Sequence, residues 1–127
     1  MDAIARALFS PRGEFFKESS MTRYGMVLGL KPEDEEKYKQ YHAAVWPGVL
    51  EMIHKCNIRN YSIYLKDHTL FSYFEYIGED YAADMAKMAA DKTTQEWWAI
   101  MEPMQSPIPT RKEGEWWANM EEVFHQD

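Results

Sequence analysis

The chain has 127 residues, enough for one domain with a real hydrophobic core and too few for two ordinary ones. Acidic residues outnumber basic ones by 21 to 14, for a formal charge of -7 without any lysine or arginine cluster, which excludes nucleic acid and anionic membranes as expected partners. Five tryptophans, eight tyrosines and nine methionines make an aromatic, sulfur-rich set of the kind that packs cores and also lines sugar sites and dimer interfaces.

The first twenty residues do not read as a signal peptide, because Asp2 and Arg6 interrupt any apolar core and Pro11, Arg12, Gly13 and Glu14 follow directly. They are read as an N-terminal extension, in which Ala3, Ile4, Ala7 and Leu8 suit one short amphipathic turn, ahead of a single domain over 21–127. No apolar run approaches the roughly 18 residues of a membrane span. Cys56 stands alone and cannot form an internal disulfide, so a reducing, cytoplasmic compartment is expected.

Residues 23–30 alternate large Tyr24, Met26, Leu28 and Leu30 with Gly25, Val27 and Gly29, the pattern of a strand covered on one face. The glycines predict something packed closely on the other face, another sheet or a second subunit. Lys31 and Pro32 open a helix with Glu33 to Glu36 at its positive end. Its apolar stripe, Tyr38, Tyr41, His42, Val45, Trp46, Val49, Leu50 and Ile53, runs on across Pro47. Proline inside a helix clashes with the carbonyl four residues back, so a kink or restart is expected just after His42.

Tyr61, Ile63 and Leu65 alternate with Ser62, Tyr64 and Lys66 in a second strand, Asp67 and His68 form a hairpin turn, and residues 69–77 are its partner. Tyr61 and Tyr64 point to opposite faces, so at most one meets the helices. Gly78, Glu79 and Asp80 start a second helical region carrying Tyr81, Met85, Met88 and Ala89. After a break at Asp91 to Thr93, Thr93 and Thr94 are expected to cap a helix bearing Trp97, Trp98, Ile100 and Met101. Pro103, Pro107 and Pro109 mark a loop, and residues 117–125 alternate as a last strand, with Trp116 and Trp117 expected to pack in the core or a dimer interface. The order strand, helix, strand, strand, helix, strand is the βαββαβ pattern of an α+β, ferredoxin-like fold of the dimeric α+β barrel type: an antiparallel sheet with helices on one face. The uncovered face predicts a homodimer.

Neither Cys-x-x-Cys, His-x-His nor His-Glu-x-x-His occurs, and no metal site is expected. Gly-x-Ser-x-Gly is absent, and Gly25 and Gly29 lie inside a strand rather than in a phosphate-binding loop, so no cofactor is expected either. Acid-base chemistry in an aromatic pocket remains. His42 on a buried face reads, taken alone, as a core histidine. Tyr38 and Trp46, one helical turn to either side, and the proline beside it turn the reading towards an acid whose pKa burial lowers and the helix terminus raises. Trp97 and Trp98 point about 100° apart on a helix, which suits one core and one partly exposed ring, or one core ring and one platform for a sugar. His54, His68 and His125 read as surface or structural residues.

The motifs Tyr38-x-x-x-His42-x-x-x-Trp46-Pro47, Asn60-Tyr61-Ser62-Ile63-Tyr64-Leu65, Trp97-Trp98 and Glu121-Glu122-Val123-Phe124, in that order, resemble the L-rhamnose mutarotase family from about Arg23 to the C-terminus. The resemblance implies a cofactor-free, dimeric isomerase that interconverts the α and β anomers of a 6-deoxyhexose, L-rhamnose first and L-fucose as the alternative. It implies His42 as proton donor and Tyr38, Tyr61, Trp97 and Trp98 as sugar-binding residues. Glu96 stands where rhamnose-type members carry a basic residue, and the Pro-rich loop is longer than theirs. Two rival readings share the architecture: an oxygenase of the dimeric α+β barrel type and a non-catalytic sugar-binding module.

Overall fold

A computed structural model describes residues 21–127; the extension over residues 1–20, with its expected amphipathic turn, lies outside the described residues. Strand β1 (Thr22–Leu30) leads through one 3-10 turn at Pro32–Asp34 into helix α1 (Glu35–His42). Helix α2 (Pro47–Lys55), strands β2 (Ile58–Lys66) and β3 (Thr69–Tyr76), and helices α3 (Tyr81–Ala90) and α4 (Lys92–Met101) follow. A second 3-10 turn at Glu102–Met104 precedes the short strands β4 (Gln105–Ser106) and β5 (Ala118–Met120).

Pro47 restarts the chain rather than kinking it. Helix α1 ends at His42, Trp46 is extended at φ -60° and ψ 134°, and Pro47 takes the first position of α2, where its missing N–H costs nothing. Both helices still bury one shared stripe, because Tyr38, Tyr41, Val45, Trp46, Val49 and Ile53 all pack in one cluster with Trp97 and Met101. The cap of α4 is Asp91 rather than Thr93 or Thr94: its carboxylate accepts from Thr94 N and Thr94 Oγ1, both at 2.9 Å. A carboxylate one residue ahead of the first turn reaches that amide and carries charge favoured by the dipole as well.

The sheet order is β2-β3-β1-β4, with β5 also on β1, and every pairing is antiparallel. The fourth strand of the expected pattern is thus split. β4 pairs with Gly29 and Leu30, β5 with Gly25 to Val27, and residues 107–117 loop out between them. The Pro-rich segment therefore contains a strand that its composition hid, and the alternation expected over 117–125 becomes strand only over Ala118–Met120. Beyond Met120 the alternating pattern persists without pairing to a strand, and Val123 and Phe124 lie 87 % and 78 % exposed. The close approach at the glycines is not the second sheet or subunit expected on the other face but the neighbouring strand of the same sheet: a Cβ on Gly29 would collide with the carbonyl oxygen of Ser106 on β4.

The turn at Asp67 and His68 has φ of 51° and 58°, the left-handed pair that matches the twist of a two-residue hairpin. One further left-handed residue matters to the site. Asn60, at φ 50°, is an extra residue in β2: Arg59 pairs with Glu75 and Ser62 with Tyr73, so Asn60 and Tyr61 together oppose Phe74. Ile58 lies on the helix-covered face, and strict alternation from it would turn Tyr61 outward. The bulge shifts the phase, and Tyr61, Ile63 and Leu65 face inward while Tyr64 faces out, 67 % exposed.

Candidate active site

Between the inner face of the sheet and the helices lies a cavity of about 680 Å³. It separates two core clusters, one around Tyr38, Trp97 and Met101, the other around Ile58, Phe74 and Met88. All five residues expected at a site line it: Tyr38, His42, Tyr61, Trp97 and Trp98. They arrive from α1, β2 and α4, elements far apart in sequence.

His42 is the last residue of α1, and its Nδ1 lies 2.8 Å from the Tyr38 carbonyl oxygen. A carbonyl only accepts, so Nδ1 carries the hydrogen. In the neutral ring Nε2 then holds a lone pair, on a residue that lines the cavity. Tyr38 stacks on the imidazole at 4.2 Å, and Trp97 meets it edge-on at 5.4 Å. Burial pulls the His42 pKa below its ordinary value, and the bond to the Tyr38 carbonyl only partly opposes this. Burial, the larger of the two effects, therefore favours the neutral ring.

The third member of the expected column is displaced. Because α1 stops at His42, Trp46 leaves the helical row and packs edge-on against Trp97 at 5.1 Å, away from the cavity lining. Trp97 is buried at 5 % exposure and also meets Tyr41 at 5.9 Å, whereas Trp98 is half-buried. Adjacent positions on α4 thus give one core ring and one more open ring. Tyr61 contacts Phe74 edge-on at 5.5 Å, and burial raises the pKa of both its phenol and that of Tyr38. Both stay neutral hydrogen-bonding groups.

Several lining residues were not singled out for the site from sequence, Gln105, Trp116 and Glu102 among them. Gln105, on β4, is buried at 8 % exposure and donates from Nε2 to the Tyr38 hydroxyl at 3.2 Å. Trp116 donates from Nε1 to Gln105 Oε1 at 2.8 Å, a polar role in place of the packing expected of it. Glu102 lies at the exposed rim. A two-residue strand is too short to reveal a periodicity, and Trp116 is eleven residues from its partner. His54, His68 and His125 are exposed as expected, with His68 Nδ1 bonded to Glu35 at 2.8 Å and His125 Nε2 to Asp127 at 2.8 Å.

The arrangement can bind a small polar molecule with apolar faces and exchange one proton with it. Aromatic walls suit C–H faces, the phenols and the amide suit hydroxyls, and a single imidazole is poised beside them.

A family model described as L-rhamnose mutarotase matches residues 23–126. An L-rhamnose mutarotase of Listeria monocytogenes is 35 % identical over 107 residues, covering 83 % of this chain and 98 % of its own. The crystal structure of an L-rhamnose mutarotase from Formosa agariphila matches with a TM-score of 0.64 at 21 % identity, over 84 % of this chain and 99 % of that one. The tetracenomycin F2 cyclase of Streptomyces glaucescens, a type-II polyketide cyclase, matches with a TM-score of 0.60 at 17 % identity, over 84 % of this chain and 97 % of its own. The two structural likenesses carry the architecture alone.

Proposed function

The chain belongs to the L-rhamnose mutarotase family, and from that premise we propose that it is a cofactor-independent isomerase interconverting the α and β anomers of L-rhamnose. The observation that carries the mechanism is the His42 ring, held by the Tyr38 carbonyl through Nδ1 in the wall of the cavity, which makes Nε2 the nitrogen free to act. Neutral Nε2 takes the proton of the anomeric hydroxyl. The O–H bond electrons form the C1 carbonyl, the bond from C1 to the ring oxygen breaks, and the imidazolium donates its Nε2 proton to that oxygen. The products are the open-chain aldehyde and the starting neutral ring, so protons and electrons balance without redox change. Rotation about the C1–C2 bond and the reverse sequence close the other anomer. His42 is thereby base and proton donor in turn, which suits a ring whose pKa burial holds low.

Tyr38 and Tyr61 offer hydroxyls to the sugar, Trp98 a face for its C–H groups, and Trp97 supports both His42 and that wall. One-dimensional saturation-transfer NMR of L-rhamnose, L-fucose and common hexoses tests the proposal. Accelerated anomer exchange of L-rhamnose is expected, and exchange at the uncatalysed rate for every sugar overturns it.

We further propose a homodimer, formed through the outer sheet face on which Tyr64 and Phe71 sit opposite each other, 67 % and 39 % exposed. No helix among the described residues is long and apolar enough to cross a membrane. The cytoplasm is the compartment we propose, because the chain's lone cysteine, Cys56, is a buried free thiol.

A further inference from the structure

Gln105 has both ends of its side chain committed. Its Oε1 lies 2.8 Å from Trp116 Nε1, and its Nε2 lies 3.2 Å from the Tyr38 hydroxyl. An indole N–H can only donate, so the amide oxygen must face Trp116, and this settles the amide orientation that nitrogen and oxygen positions alone leave ambiguous. The amide nitrogen therefore faces Tyr38. As that nitrogen also only donates, the phenol oxygen accepts, and its single O–H is left to donate elsewhere. Tyr38 lines the cavity together with Gln105 and Trp116.

We propose that Gln105 and Trp116 are positioning residues that fix the polarity of Tyr38, making its hydroxyl a hydrogen-bond donor to an oxygen of the bound sugar. The inference rests on the mutarotase reading of the cavity and adds a preference to it: the Tyr38 hydrogen is directed to a sugar atom that accepts. The relay also accounts for a polar side chain kept at 8 % exposure at the end of an aromatic pocket, where a methionine of similar length would pack as well. Burial, which raises the Tyr38 pKa, keeps the O–H available for donation across the neutral range.

The test is a double-mutant cycle on L-rhamnose affinity, read by calorimetry on the full chain. Gln105→Met is expected to weaken binding about tenfold, the scale of one hydrogen bond, and Trp116→Phe to weaken it less because the amide is only freed to flip. In a Tyr38→Phe background, where no hydroxyl remains to orient, Gln105→Met is expected to change the affinity less than about twofold. Gln105→Glu adds a readout that loss of packing would not move. Its carboxyl can donate to Tyr38 when protonated and only accept when ionised, so its affinity is expected to fall as pH rises through that carboxyl's titration. Equal losses in both backgrounds, or a Gln105→Glu affinity that does not fall with rising pH, overturn the relay. Wild-type protein that neither binds L-rhamnose nor speeds its anomer exchange overturns the mutarotase reading, and with it the sugar as the acceptor.

Discussion

His42 donates from Nδ1 to the carbonyl oxygen of Tyr38, four residues earlier, at 2.8 Å, and the two rings stack at 4.2 Å. One residue thus fixes both the tautomer and the plane of the imidazole. The bond runs within the last turn of α1, where the ring of the helix's final residue folds back on the carbonyl four residues earlier.

His42→Asn is expected to lower the anomer exchange rate by about 10²- to 10⁴-fold with the fold intact, the usual scale of one positioned acid-base group. Burial depresses the His42 pKa below its unfolded value, so the neutral form, the proposed base, persists to lower pH than a free imidazole would allow. The exchange rate is expected to fall on the acid side with an apparent pKa below the ordinary histidine value of about 6.5. The linked stability has the same sign. It is present above the unfolded pKa and is lost as pH falls through the folded one, because the unfolded chain binds the proton more readily. A pH-rate profile in saturation-transfer NMR checks the first, and thermal melts of wild type against His42→Asn check the second.

The two tryptophans of α4 are expected to fail differently. Trp97→Ala opens a hole beneath Tyr41, His42 and Trp46 and should cost about 3–5 kcal/mol of stability. Trp98→Ala should weaken sugar binding at a much smaller cost to the melting temperature. Calorimetric affinity and thermal denaturation of the two variants separate the roles, and a Trp98 variant that binds as wild type removes the platform.

Asn60 holds the bulge that turns Tyr61 inward, and its Nδ2 donates to Glu75 Oε1 at 2.6 Å while the Tyr73 hydroxyl donates to Glu75 Oε2 at 2.8 Å. Asn60→Gly tolerates φ 50° and should keep sugar affinity. Asn60→Val opposes that backbone and should lose about 1–3 kcal/mol of stability together with affinity. Affinity that survives valine would show that the register of β2 does not govern Tyr61.

Tyr64→Lys with Phe71→Lys places like charges opposite each other on the outer sheet face. Wild type is expected to sediment near twice its 15.0 kDa, and the double variant as a monomer. A monomeric wild type at tens of micromolar would remove the dimer.

Away from the cavity, Asp84 accepts from the Tyr76 hydroxyl at 2.5 Å and from Asn57 Nδ2 at 2.9 Å. These bonds hold the carboxyl below its ordinary pKa, while burial and the carboxylate push the Tyr76 phenol up to about 12. Asp84→Ala strands a buried phenol and should cost about 1–3 kcal/mol, with sugar affinity unchanged. Wild type keeps this advantage above the unfolded carboxyl pKa and loses it as pH falls through the folded one, so the two melting temperatures should converge in acid.

The main elements were legible because their patterns are local. Alternation over Tyr24 to Leu30, the three-and-four stripe from Tyr38 to Ile53 and the Asp67-His68 turn each depend on near neighbours alone. Pro47 marked the end of α1 for the same reason. The cap of α4 was misplaced by two or three residues, since aspartate and threonine both suit that position and only the path of the chain chooses between them. Gln105–Ser106 was missed and the stretch after Met120 over-extended because pairing, not pattern, makes a strand. β4 has β1 to bond to, whereas residues 121–127 have no such partner strand among the described residues.

The sequence by itself determined the order of elements, and hence the sheet and its helix-covered face, together with the aromatic and imidazole groups offered to a site. Tertiary structure decided how those groups are placed. The bulge at Asn60 chose which tyrosine faces inward, burial lowered the pKa of His42, and contacts across 67 and 11 residues joined Tyr38, Gln105 and Trp116. Spacing along a chain sets which side chains share a face, but proton position and hydrogen-bond direction depend on neighbours that only folding supplies.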